Sequence, residues 1–169
     1  MIEVAGNLWE FPADVRVITT NGTVKKNGEC VMGRGCAAEA RQRDATFPAL
    51  LGHHIKINGN RVGMIGVIGG LPILSFPVKH EWFQKADLDL IQRSALSLAI
   101  WAGHAAKDGP LTVVLPRPGC GNGGLHWCNC MELEASGARD RTDGGHCYGI
   151  KHVLAPILDD RFHVITFGR

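Results

Sequence analysis

The chain has 169 residues, a formal net charge of +2 and a composition that is 45% hydrophobic and 20% charged, which suits one globular domain. At this length folding buries roughly 70% of the surface of the unfolded chain, so neither a metal nor a disulfide is needed for stability. The small, scattered charge supplies no broad field for nucleic acid, and Lys25-Lys26, the one adjacent basic pair, reads as a solvated loop. Met1-Ile2-Glu3-Val4 lacks an export signal, and no apolar run approaches the ~20 residues of a membrane span. A cytoplasmic address is therefore expected, with the six cysteines reduced.

In chain order, a short segment near Ile2-Val4 and the β-branched run Val15 to Thr20 read as strands. Asn21 to Gly35 carries four glycines and little apolar periodicity, so it is expected to be a loop, with a helix from Ala37 to Arg43. Arg61 to Ile68 and Pro72 to Val78 read as two strands joined at Gly69-Gly70. Asp87 to about His104 is the clearest helix: Leu88, Ile91, Ala95, Leu98 and Ala102 recur at helical spacing and Asp87 can cap its start. Leu111 to Leu115 is expected as a strand leading into Pro116-Arg117-Pro118-Gly119. Ile150 to Leu158 predicts a last helix that Pro156 bends or makes start late, and Phe162 to Phe167 a closing strand. Buried strands alternating with helices predict an α/β sandwich whose ligand lies beyond the carboxyl ends of the strands.

Two glycine-rich loops fall at that edge. Phosphate needs backbone N–H donors that can approach closely, and glycine permits the approach. Gly33-Arg34-Gly35-Cys36 lies just before a helix, where free amides and the helix dipole favour an anion. Gly119-Cys120-Gly121-Asn122-Gly123-Gly124-Leu125 offers a second wall. Neither loop ends in the Gly-Lys-Ser/Thr of a P-loop, and neither is a GxGxxG dinucleotide fingerprint followed by an acid. Cys36 and Cys120, one in each loop, read as small packing side chains.

Taken in order, Gly6-Asn7-Leu8, Asn21 with Val31 to Ala37, Ser75 to Lys79, and Pro116 to Trp127 resemble macrodomains. The nearest branch contains terminal ADP-ribose protein glycohydrolases and the antitoxin that removes ADP-ribose from DNA. The resemblance covers nearly all of residues 1 to 169 as one domain, apart from an insertion at about 128–149. It implies a three-layer α/β/α sandwich with a mixed central sheet. It also implies an ADP-ribose cleft in which Asn7 and Leu8 lie near the adenine and Asn21 near the distal ribose. Gly33, Arg34, Gly35 and Cys36, with Gly119, Cys120, Gly121, Asn122, Gly123, Gly124 and Leu125, would wrap the pyrophosphate. Asn7 stands where the common pattern has an aspartate, so it can accept from the adenine amino group only without charge assistance.

By the same resemblance Lys79 is the group placed to attack the distal ribose anomeric carbon, since a crowded lysine can lose its proton near neutral pH. The protein-directed branch pairs this lysine with an aspartate in the last glycine loop; here that loop holds Asn122, Gly123, Gly124 and then His126, with no carboxylate. His126 is a candidate acid or base, against a packing role beside Trp127, and His80 a weaker candidate of the same kind. The implied partners are ADP-ribose or ADP-ribosylated protein or nucleic acid, with no membrane, and nothing in the pattern sets an oligomeric state. Three activities fit: hydrolysis of an ADP-ribosyl link, removal of phosphate from ADP-ribose 1″-phosphate, and binding without turnover. A nucleotide-binding α/β protein outside this family fits the motif order poorly.

No cofactor is required for such catalysis. Cys128, Cys130, His146 and Cys147 stand at the two feet of the charged insertion and form a set of structural-zinc ligand types, although Cys-x-Cys with an adjacent His-Cys is awkward for a tetrahedral ion. The alternatives are reduced thiols in a plain loop, or a loop that covers the distal end of the cleft and tunes substrate choice.

Overall fold

A computed structural model describes residues 1–127 and 149–166. Six strands form one sheet: β1 (Ile2–Ala5), β2 (Val15–Asn21), β3 (Gly63–Ile68), β4 (Leu71–Lys79), β5 (Val113–Pro116) and β6 (Phe162–Thr166). Their order is β1-β6-β5-β2-β4-β3, parallel throughout except for the antiparallel β3–β4 hairpin at one edge. Among the described residues four α-helices accompany them: α1 (Gly35–Arg43), α2 (Phe47–Asn58), α3 (Leu88–Ala105) and α4 (Ile150–Leu154).

The sheet is covered on both faces, which explains why its central strands are apolar on successive residues rather than alternately. Val15 and Val17 of β2 point into one core with Leu74 and Phe76 of β4, Ile91, Ala95 and Leu98 of α3, and Ile150 and Leu154 of α4. Ile18 of the same strand joins the other core with Ile73, Val114, Ala37 and Ala40 of α1, and Phe47 and Leu51 of α2. Each of the valine, leucine, isoleucine and phenylalanine side chains among them, taken fully out of water, contributes about 1.5–3 kcal/mol. The result is the three-layer α/β/α sandwich with a mixed sheet that the motif order implies.

Asp87 caps α3 as expected, its carboxylate accepting from the Leu90 amide at 3.0 Å. Other boundaries shift for identifiable reasons. β5 begins at Val113 rather than Leu111, because Thr112 is held across the chain by Asp14: its N–H donates to the Asp14 carboxylate at 2.7 Å and its carbonyl accepts from the Asp14 amide at 2.9 Å. β3 begins at Gly63 rather than Arg61, whose carbonyl accepts from the Ser75 hydroxyl at 3.0 Å. Pro156 neither bends the last helix nor delays it. α4 starts at Ile150 and stops at Leu154, since proline cannot donate the next helical hydrogen bond, and Ile157 and Leu158 close a turn on the Leu154 carbonyl. Helix α2 has no counterpart in the periodicity reading, although Pro48 in its first turn and the buried spacing of Phe47 and Leu51 mark it.

Among the described residues, no helix is long and apolar enough to cross a membrane.

Candidate functional site

Strands β5, β2 and β4 lie side by side and run parallel, so Pro116, Asn21 and Lys79 end on one edge of the sheet. Crossovers to helices on both faces leave that edge to loops, and four of them converge there. Asn21 and Lys79 are register partners, across a register shift that passes over Val78 of β4 after the Thr20–Pro77 pair.

Lys79 is the chemical centre of this edge. The residue is half-buried and its ammonium donates to the Asn122 carbonyl at 2.8 Å, so the lysine spans from the end of β4 to the second glycine loop. Partial burial, and then the nearby Arg34 guanidinium, hold its pKa below the ordinary lysine range. Both causes disfavour the charged form, and the neutral amine is the nucleophile. The Lys79 carbonyl is in turn fixed by the Asn60 side-chain amide at 2.9 Å. The structure therefore gathers Lys79, Arg34, Gly35 and Asn122 into one cluster: a Cβ on Gly35 would stand 3.6 Å from the Asn122 amide nitrogen.

The first glycine loop presents the start of α1. Arg34 is extended and Gly35 takes φ +58°, which turns the chain sharply into the helix. The leading amides of a helix have no partner within it and face outward with the positive end of the dipole. Cys36 behind them is buried, with its thiol 3.3 Å from both the amide and the hydroxyl of Thr19. Burial raises its pKa, as it raises that of Cys120, to about 11, and of Cys30, to about 12. Thiols kept protonated in this way pack; they do not attack.

The second glycine loop is bolted to the protein. Gly121–Gly123 forms a 3-10 turn whose Gly123 carbonyl accepts from the Ala86 amide at 2.9 Å, and Leu125 returns to the Gly119 carbonyl at 3.1 Å. Gly119 has φ +74°, and a Cβ there would meet the Ile91 methyl at 2.7 Å, Ala86 at 3.1 Å and Ile150 at 3.2 Å. Only glycine fits both its conformation and its space.

The remaining sequence candidates are placed as follows. Asn7 is exposed, but its side-chain oxygen accepts from the Trp9 amide at 2.9 Å and its nitrogen donates to Glu10, forming a local turn. The Leu8 side chain is fully buried and its carbonyl accepts from the Arg16 guanidinium at 3.0 Å, so what Leu8 lends to this edge is chain position. Asn21 donates to the Val31 carbonyl at 2.8 Å and accepts from the Thr23 amide at 3.0 Å, bracing the loop that leads to Gly33. His126 is exposed, and its carbonyl accepts from the Ile150 amide. His80 pairs with Asp87 at 3.1 Å. Cys128, Cys130, His146 and Cys147, and with them the zinc expectation, lie outside the described residues.

Two groups escape the sequence reading. One is Glu3 of β1, on which the Trp127 indole, Arg117 and Lys151 converge. Burial alone would raise its pKa, but the hydrogen bonds from Lys151 and Trp127 and the charges of Lys151 and Arg117 outweigh it and hold the carboxyl low. This knot ties together the residues on either side of the 128–148 segment, and residue spacing gives no sign of it because its members are far apart in the chain. The other is the excursion between β4 and α3. It rests on the Asn21–Thr23 loop through the Gly22 amide to the His80 carbonyl at 3.0 Å, the Thr23 hydroxyl to Glu81, and the Trp82 amide to the Thr23 hydroxyl at 2.9 Å. Its adjacent aromatics, outside any helical or strand period, were the available signal.

No family model matches the sequence, and no curated protein matches it. Solved structures do. The macrodomain of Mycobacterium tuberculosis DarG superimposes with a TM-score of 0.66 at 20% identity, covering 99% of this chain and 97% of that one. The macrodomain of Thermus aquaticus DarG gives 0.64 at 20% identity, with the same two coverages. Thermosipho africanus DarTG in complex with ADP-ribose gives 0.69 at 13% identity, over 96% of this chain and 40% of that one.

Proposed function

On this macrodomain fold, we propose that the chain binds ADP-ribose at the carboxyl edge of β5, β2 and β4, and that it hydrolyses ADP-ribosyl links on protein or nucleic acid. The observation that carries the reading is Lys79: a half-buried lysine of lowered pKa held between two glycine loops, one of them at a helix start. The pyrophosphate would lie against the amides of Gly33 to Cys36 and Gly121 to Gly123, with Arg34 as counter-charge. Similarity to a DarTG solved with ADP-ribose supports the choice of ligand.

In this reading the neutral Lys79 amine brings its lone pair to the anomeric carbon of the distal ribose. The bond from that carbon to the acceptor breaks, its electron pair leaves with the acceptor, and the acceptor takes a proton. Water then displaces the lysine nitrogen, which restores the amine and completes a net hydrolysis. Retention of ADP-ribose by the fixed loops keeps the carbon in reach throughout.

Incubation with an ADP-ribosylated protein, ADP-ribosylated thymidine DNA and ADP-ribose 1″-phosphate in parallel, read as free ADP-ribose or phosphate, tests the activity. Lys79→Ala is expected to lower turnover by at least ~100-fold while leaving ADP-ribose affinity near the parent value. Unchanged turnover would remove Lys79 from the mechanism. A second reading, binding without turnover, is favoured by one specific feature: Gly119 to Leu125 contains no carboxylate to assist the lysine. Affinity for ADP-ribose with no product from any of the three substrates would establish it, and phosphate release from the third alone would make the chain a phosphatase.

A further inference from the structure

The chain enters the second glycine loop from Arg117 and leaves it through Trp127, and both side chains end on the same atom. Glu3 Oε2 accepts from the Trp127 indole at 2.9 Å and from the Arg117 guanidinium at 3.3 Å, while its other oxygen takes the Lys151 ammonium at 2.5 Å. Glu3 belongs to the edge strand β1, where it pairs with Val164 of β6, which in turn pairs with Leu115 of β5. In the sheet, β6, β5 and β2 stand between it and the strand of Lys79.

Arg117 and Trp127 also hold each other. The guanidinium carbon lies 5.2 Å from the centre of the indole ring, and that ring is buried in the core on the α3 side. The segment from Arg117 through the loop to Trp127 is thus closed into a cycle by Glu3. Within the cycle the Leu125 amide donates to the Gly119 carbonyl at 3.1 Å, and Cys120 bridges to Leu125. Closure matters because Gly119, Gly121 and Gly124 all sit at positive φ, and glycine loses more conformational freedom on ordering than any other residue. Packing at Gly119 and the Gly123–Ala86 hydrogen bond fix the entry and the tip of the loop, and Trp127 anchors the limb that returns from Gly124. Stability alone gives little reason for the arrangement, since ion pairs as exposed as those of Arg117 and Lys151 contribute only about 0–1 kcal/mol.

We propose that Glu3 is a positioning residue: by holding Trp127 and Arg117 together it closes the Gly119–Leu125 loop. Through that loop it sets the Gly121–Gly123 amides and the Asn122 carbonyl that receives Lys79. The consequence for a ligand rests on the ADP-ribose reading of this edge, whereas the closure itself is measured without ADP-ribose.

Amide hydrogen exchange is read by NMR at Gly124 and Leu125, with the buried Val17 of β2 as reference, for the parent, Glu3→Ala, Glu3→Gln and Trp127→Phe. ADP-ribose affinity is measured calorimetrically on each. Glu3→Ala is expected to speed exchange at Leu125 and Gly124 by at least ~10-fold more than at Val17, the mark of a local opening. ADP-ribose affinity should fall about tenfold, the lower end for losing a hydrogen bond to a charged group. Glu3→Gln still offers the Trp127 indole an oxygen and should recover most of both. Trp127→Phe keeps a ring in the core but removes the donor, so it should move both in the direction of Glu3→Ala. The proposal is overturned if Glu3→Ala leaves Leu125 exchange unchanged, or if Leu125 and Val17 accelerate by the same factor, which would reduce Glu3 to global stability. It is also overturned if exchange at Leu125 rises while an ADP-ribose-binding parent and Glu3→Ala differ in affinity by less than about twofold. A parent that binds no ADP-ribose, with Leu125 exchange still dependent on Glu3, would instead sink the ADP-ribose reading and leave the closure standing.

Discussion

The two glycine loops at the sheet edge share a composition but are built in opposite ways. In the Gly119–Gly124 loop, Gly119 is wedged among Ile91, Ala86 and Ile150, and Gly123 lies against Ala86 and is hydrogen-bonded to it, so these two glycines serve packing as well as backbone shape. In the Gly33–Cys36 loop, nothing lies within 4 Å of where a Gly33 Cβ would stand, and Gly35 meets only the Asn122 amide at ordinary contact distance. One wall of the proposed site is thus fixed by the core, while the other is held from behind, by the buried Cys36 and by the Asn21 brace on Val31. A site assembled from a rigid and an open wall can hold an anion against the first and admit it past the second.

Mutations that add one methyl group separate the two walls. Gly119→Ala should have the largest effect: about 1–2 kcal/mol for the left-handed conformation and about 1–3 kcal/mol for overpacking against Ala86, which has no flexible end to swing away. Thermal unfolding should show this as a fall of about 10 °C in Tm. Gly35→Ala meets the conformational cost alone, so a loss of about 1–2 kcal/mol is expected in denaturant unfolding. If Gly35→Ala proves as damaging as Gly119→Ala, the first wall is not open.

Gly33→Ala should leave stability within about 0.5 kcal/mol of the parent. Its Cβ would stand in open space beside the amides proposed to hold the phosphates, so calorimetry should show ADP-ribose binding about tenfold weaker, ~1.4 kcal/mol. Equal affinity would place the phosphates elsewhere. The smallest effect is electrostatic. Because the Lys79 pKa is lowered, turnover should rise with pH and level off below the ordinary lysine range, as the neutral amine accumulates. Burial is the larger cause and Arg34 the lesser. Arg34→Ala removes only the lesser one, so the rising limb of the pH–rate profile should move to higher pH without disappearing. A profile that stays in place would mean that Arg34 does not act on this lysine.

Much of this molecule can be read from residues in order. The largely apolar runs of β2, β4 and β5 require a sheet covered on both faces, and Asp87 with the Leu88-to-Ala102 spacing defines α3, because period and capping are local physics. The motif order placed Lys79 and both glycine loops on one edge, since a parallel sheet carries the carboxyl ends of its strands to the same side. What failed was also physical. Helix α2 is not legible as a period because its buried stripe includes Gly52 while the apolar Leu50 and Ile57 are exposed, and the ends of β3 and β5 depend on Ser75 and Asp14, distant partners that no window contains.

The sequence by itself determined that there would be glycine loops and a lysine at a strand end, because chain geometry and side-chain type are local properties. Only the tertiary structure decided that Lys79 reaches the Asn122 carbonyl, that Arg34 adds to its lowered pKa, and that one loop is clamped while its counterpart is open. It likewise decided that Glu3 of β1 gathers Trp127 and Arg117 from either end of the second loop. Those facts are distances between residues far apart in the chain, and packing sets them.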